Sequence, residues 1–188
     1  MLDNRTTLVV VAAVALTGCA TPLRYYFHPD ADLGTVKKVA VLPFENLSSD
    51  QTVGDKVQRL FTLELLSLGA FDVVEPGLVG KVMRTQHVEA AQNMTPDDIK
   101  QLGKALEVQG LFFGTVVEFK DDRVGTAHAP EVTLQLRLVE AATGVTIWSC
   151  TASQSGAALS VRLFGIGGDS PTEAAQALMR RQLRTLVQ

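Results

Sequence analysis

Apolar residues along this chain fall into runs whose period changes from segment to segment, and those changes mark the elements. Leu8 to Leu16 is a short, unbroken apolar run. From Ala20 to Thr35 the residues Pro22, Pro29, Asp30, Asp32 and Gly34 break any period, so this stretch reads as a tether. Its aromatic cluster, Tyr25-Tyr26-Phe27, can sit at lipid headgroups or dock back on the domain; docking is favoured because a buried aromatic covers about 150–250 Å². Val39-Ala40-Val41-Leu42 is apolar on both alternations, which predicts a strand covered on both faces and ended near Pro43. Asn46 to Asp50 reads as a turn and cap. Val53, Val57, Leu60, Phe61, Leu65 and Leu68 then form one helical stripe, closed by Gly69. Phe71 to Val74 predicts a second short strand, stopped by Glu75-Pro76-Gly77. A helix is expected over residues 78–90 through Leu78, Val79, Val82 and Met83.

The second half is patterned more sharply. Thr95-Pro96-Asp97-Asp98 carries a cap, a proline at the first helical position and acids at the positive end of the dipole, and Ile99, Leu102 and Leu106 give that helix its apolar edge. Leu111 to Phe119 is rich in aromatic and β-branched residues. Val132, Leu134, Leu136 and Leu138 alternate with Thr133, Gln135 and Arg137, a half-buried strand. Ala142-Thr143-Gly144 turns the chain so that Val145-Thr146-Ile147-Trp148 pairs back as a hairpin. Ser170-Pro171-Thr172-Glu173 has the form of a capping box. The helix after it carries Leu178, Leu183 and Leu186 inward and Arg180, Arg181 and Arg184 outward. The resulting order, β-α-β-α-α-β-β-β-α, describes an α/β (α+β) domain with a mixed sheet and flanking helices. It is expected to run as one unit over 36–188, with a flexible arm at about 154–169.

Composition adds little beyond class. Of 188 residues 46% are hydrophobic and 20% charged, a globular balance, and the net charge of −3 argues against a nucleic-acid-binding surface. The start of the chain is more telling. The apolar run follows Arg5 and ends in Leu16-Thr17-Gly18-Cys19, which resembles a bacterial lipoprotein signal with its lipobox. The run is about half the length of a spanning helix. An ordinary secretory signal, or a short anchor helix with a chance cysteine, is the plainer alternative. The resemblance implies cleavage after Gly18, lipid on the Cys19 thiol and a lipidated tether over 19–35. Ala20, in place of the aspartate that retains lipoproteins at the inner membrane, implies an outer-membrane anchor facing the periplasm. Cys150 is then a lone thiol, read as a small buried hydrophobe.

Four further segments carry a second resemblance. Lys38-Val39-Ala40-Val41-Leu42-Pro43-Phe44-Glu45-Asn46 comes first, then Leu68-Gly69-Ala70-Phe71-Asp72-Val73-Val74-Glu75, then Leu102-Gly103-Lys104-Ala105-Leu106 leading to Gly110. The last is Leu138-Val139-Glu140-Ala141-Ala142-Thr143-Gly144-Val145-Thr146-Ile147-Trp148-Ser149. In this order and spacing they resemble the CsgG-like family, which groups the curli secretion channel subunit with the lipoprotein activator of penicillin-binding proteins and the amino-terminal domain of the Tol translocation protein. The match spans residues 36 to 152. It implies a scaffold that binds other envelope proteins, or copies of itself, since every matched piece has a structural job and none supplies a nucleophile, base or metal ligand.

Searching the chain for chemistry finds no cofactor site. His28, His87 and His128 are far apart with no metal-ligand spacing, and Asp121-Asp122 is read as a solvated acidic turn. Ser153, Ser155 and Ser160 lack the nucleophile-elbow pattern. Gly165-Ile166-Gly167-Gly168 is similar to a phosphate loop but lacks its full spacing and a following basic residue. An enzyme is therefore not expected. The connection from Lys120 to Pro130 is too short and too charged for a membrane hairpin, whereas Thr151 to Ser170 alternates Ala157, Leu159, Val161 and Leu163. Leu159, Val161, Leu163 and Phe164 are accordingly the expected partner-binding arm. The expected role is a non-enzymatic protein-binding module in envelope assembly or secretion. Two alternatives stay open: a subunit of an oligomeric CsgG-like secretion channel, and an activator of a peptidoglycan synthase.

Overall fold

A computed structural model describes residues 23–124, 127–155 and 169–187; the expectations placed on Cys19, Leu159, Val161, Leu163 and Phe164 lie outside the described residues. The strands are β1 (Arg24–Phe27), β2 (Lys38–Val41), β3 (Glu45–Asn46), β4 (Asp72–Val73), β5 (Gly110–Val124), β6 (Ala127–Glu140) and β7 (Thr146–Ser155). The helices are α1 (Val53–Leu68), α2 (Pro76–Thr85), α3 (Pro96–Leu106) and α4 (Pro171–Arg184). The mixed α/β class and the order of the main elements agree with the sequence pattern.

One sheet runs β1-β7-β6-β5-β2-β4, with β3 added along β5 beyond the end of β2. The β1, β7, β6 and β5 neighbours are antiparallel, and β2 is parallel to both β5 and β4. Strand β2 is buried on both sides, and its alternation divides the molecule into two cores. Val39 and Val41 belong to the core under α1 and α4, with Val57, Phe61, Leu178 and Met179. Ala40 and Leu42 belong to the core under α2 and α3, with Val79, Met83, Ile99 and Leu102. The first core is built on a file of rings: Phe44 meets Phe61 at 5.4 Å, Phe61 meets Phe112 at 5.3 Å, and Phe112 meets Trp148 at 6.4 Å.

Helix ends follow the local chemistry. Gly69 closes α1 at φ 68°, a left-handed position that suits glycine. Thr95–Asp98 and Ser170–Glu173 are both reciprocal capping boxes.

Three segments differ from the reading above. Arg24–Phe27, inside the stretch read as a tether, pairs with β7 from Arg24↔Thr151 to Phe27↔Trp148. Docking of the aromatic cluster thus takes the form of strand pairing, with Phe27 packed on the core and both tyrosines exposed. The helix expected over 78–90 covers Pro76–Thr85 instead; Pro76 starts it rather than stopping the preceding strand, and His87 at φ 57° follows its end. The Lys120–Pro130 connection is not a loop but the far end of a long hairpin, paired from Lys120↔Glu131 to Val124↔Ala127.

Candidate functional site

The two helical layers cover the sheet unequally. On the α1–α4 side, Val132, Leu134, Leu136 and Leu138 of β6 and Trp148, Cys150 and Ala152 of β7 are sealed. On the other side the core under α2 and α3 takes Val139 from β6 and nothing from β7 or β1. That leaves a polar face across β5, β6, β7 and β1. The register aligns it in rows: Arg137, Ser149 and Tyr26 beside the buried Phe113; then Thr115, Gln135, Thr151 and Arg24; then Glu118, Thr133 and Ser153. Thr133 Oγ1 donates to Ser153 Oγ at 2.9 Å within the last row.

Where this face meets β3 it deepens into a cleft of about 280 Å³ lined by Pro43, Glu45, Gln92, Phe113, Thr115, Gln135 and Arg137 among others. The Pro43-Phe44-Glu45 stretch builds it. Proline ends β2, Phe44 drops into the core on one side of the sheet, and Glu45 turns to the other. There Thr115 Oγ1 donates to Glu45 Oε2 at 3.0 Å. The Arg137 guanidinium lies over the Phe113 ring, 4.1 Å from its centroid. Burial of Arg137 pulls its pKa down, and the charge of Glu45 opposes that shift.

Outside this cleft the functional candidates of the sequence do not converge. Cys150 is buried, and burial pushes its thiol up to about 11, partly offset by a hydrogen bond with Gln182. A thiol so placed stays protonated and unreactive in the folded state. Asp121 and Asp122 are consecutive residues of β5, paired with Pro130 and Ala129, so they point to opposite faces and form no shared acidic turn. His28 Nδ1 accepts from the Asp30 amide at 3.2 Å, His87 follows α2, and His128 is on β6. Among the described residues no group of three or more His, Cys, Asp or Glu side chains could hold a metal ion. No helix among them is long and apolar enough to cross a membrane.

The sequence reading missed the cleft. The alternation of Thr133, Gln135 and Arg137 with buried leucines marked a polar face, and that signal was present. The pairing of Arg137 with Phe113, twenty-four residues away, depends on strand register and has no local signature. Gln182 was also missed, although it is fully buried in α4 and its Nε2 donates to Leu134 O at 3.1 Å and Cys150 O at 3.0 Å.

Over residues 35–188 the chain matches the protein family described as curli production assembly/transport component CsgG. Solved structures of the same fold include the PelC dodecamer from Paraburkholderia phytofirmans. It is 18% identical at a TM-score of 0.61, and the overlap covers 88% of this chain and 96% of that one. Lipoprotein GNA1162 from Neisseria meningitidis is also 18% identical, at a TM-score of 0.55, covering 80% of this chain and 95% of that one. No curated protein matches the sequence. At these identities the likeness to the solved structures is one of fold.

Proposed function

This chain belongs to the CsgG family, and from that membership we propose that it is a non-enzymatic, protein-binding module of envelope assembly or transport, anchored at the outer membrane through lipid on Cys19 and facing the periplasm. The observation that carries the binding role is the uncovered polar face of the sheet. Two cores already hold the fold together, so Arg137, Gln135, Thr133, Thr151 and Ser149 are not needed inside it. A broad, rigid surface of hydroxyls and amides on a sheet is suited to contacts with another protein, and beside it β1 is an edge strand among the described residues. The inert Cys150 thiol and the dispersed histidines support a role without covalent chemistry.

The family's description as a transport component favours a second reading, a subunit of an oligomeric secretion channel. Mass measurement of the detergent-extracted, lipidated protein separates the two. A closed ring of many subunits is the outcome expected for the channel. A monomer that is retained by envelope proteins through the polar face is the outcome expected for the binding module. A monomer that captures no envelope protein would sink both.

A further inference from the structure

The cleft beside β3 contains a guanidinium with no protein acceptor among the described residues. Arg137 is half-buried with its guanidinium over the Phe113 ring, yet among the described residues it makes no hydrogen bond and no ion pair. Glu45 lines the same cleft, but its Oε2 accepts from the Thr115 hydroxyl at 3.0 Å. Two opposite charges therefore face one small space without meeting. A partly desolvated guanidinium without a protein acceptor loses part of its hydration, and an incoming acceptor would recover that loss.

The shape of the donors narrows the ligand. A guanidinium seated over a ring keeps N–H groups free, and its planar fork matches a carboxylate in two parallel hydrogen bonds. Glu45 repels a second negative group and favours a donor near the first. The volume, about 280 Å³, lies just below the usual range for drug-sized sites (about 300–1,000 Å³) and suits a single residue. From this we propose that the Arg137 cleft binds an α-carboxylate bearing an N–H on the adjacent carbon, the chemistry shared by the C-terminal residue of a polypeptide and a free amino acid. The carboxylate sits on the Arg137 fork, the N–H turns to Glu45, and the amides of Gln135 and Gln92 border the entrance. The inference takes from the proposed function only that the domain works by binding, and the ligand experiment reads out separately from subunit assembly.

Saturation-transfer NMR on the full-length, detergent-extracted protein tests it with three probes: N-acetyl-L-alanine, free L-alanine and N-acetyl-L-alaninamide. The first two carry the carboxylate and should give saturable signals, whereas the amide should give none. Whichever of the two saturates at lower concentration identifies the source as a chain terminus or a free amino acid. Arg137→Gln should weaken binding about tenfold or more, and Arg137→Lys, which keeps the charge and loses the fork, should fall between. Glu45→Gln should weaken free alanine, whose ammonium needs the carboxylate, and spare the acetylated probe. Saturation by the amide equal to that of the acid would overturn the proposal. So would binding by a cooperatively melting Arg137→Gln, or by Arg137→Lys, at wild-type strength, or the absence of any saturable signal with both acids.

Discussion

Thr185 shows how much the first core depends on single polar contacts. The Trp148 ring is fully buried, and its Nε1 donates to Thr185 Oγ1 at 2.9 Å, while that hydroxyl donates onward to Gln182 O at 2.7 Å. Thr185→Val keeps the shape and leaves the indole N–H without an acceptor. The expected cost is about 1–3 kcal/mol, or roughly 2–4 °C in Tm for each kcal/mol in a domain of this size, read by thermal or urea unfolding. Cys150 gives a pH signature. Its thiol is pushed up to about 11 by burial against an ordinary value of 9.0. Well below pH 9 the group is neutral in both states and adds no pH dependence. Between pH 9 and 11 the unfolded chain releases the proton and the folded chain keeps it, so stability should fall by up to about 1.4 kcal/mol per pH unit. Urea midpoints across that range should show this slope in the native chain and lose it in Cys150→Ala.

At the scale of elements, the geometry of the β2–β3 corner turns on one absent side chain. A Cβ on Gly114 would lie 2.4 Å from the Phe44 ring, so the ring can pack over β5 only because the residue beneath it is glycine. Gly114→Ala should cost about 1–3 kcal/mol by overpacking, although alanine suits a strand no worse than glycine does. It should also move Phe44, and with it Glu45, so the Glu45–Thr115 contact should weaken in the NMR spectrum while α3 and its capping box stay unchanged. Elements with local chemistry were legible in the sequence: both capping boxes, the left-handed Gly69 and the buried alternation of Val132 to Leu138 all stand where the pattern put them. Strand β1 and the far end of the β5–β6 hairpin were not. Arg24–Phe27 has no alternation of its own and is a strand only because β7 offers an edge, and Lys120–Asp122 is charged enough to read as a turn. Both are tertiary decisions. The Glu64–Arg180 pair is another: Arg180 Nε donates to Glu64 Oε2 at 2.8 Å and Nη2 to Oε1 at 3.0 Å, joining α1 to α4. The helical patterns showed Arg180 facing outward and gave no reason to pair it with a glutamate 116 residues away.

For the molecule as a whole, the proposed address is the part to test directly. Cys19→Ser should move the protein from the membrane pellet to the soluble periplasmic fraction, with unfolding unchanged because β1 begins five residues later. Retention in the pellet would count against lipid at Cys19 as the anchor. The position of β1 also constrains posture. Five residues of fully extended chain reach at most about 18 Å, less than the width of this sheet at about 4.8 Å per strand spacing. An acylated Cys19 would therefore work as a short leash fastened to one rim of the sheet. The β1 rim would then stay within about 18 Å of the bilayer, while the β4 margin at the other side of the sheet is free of that restraint.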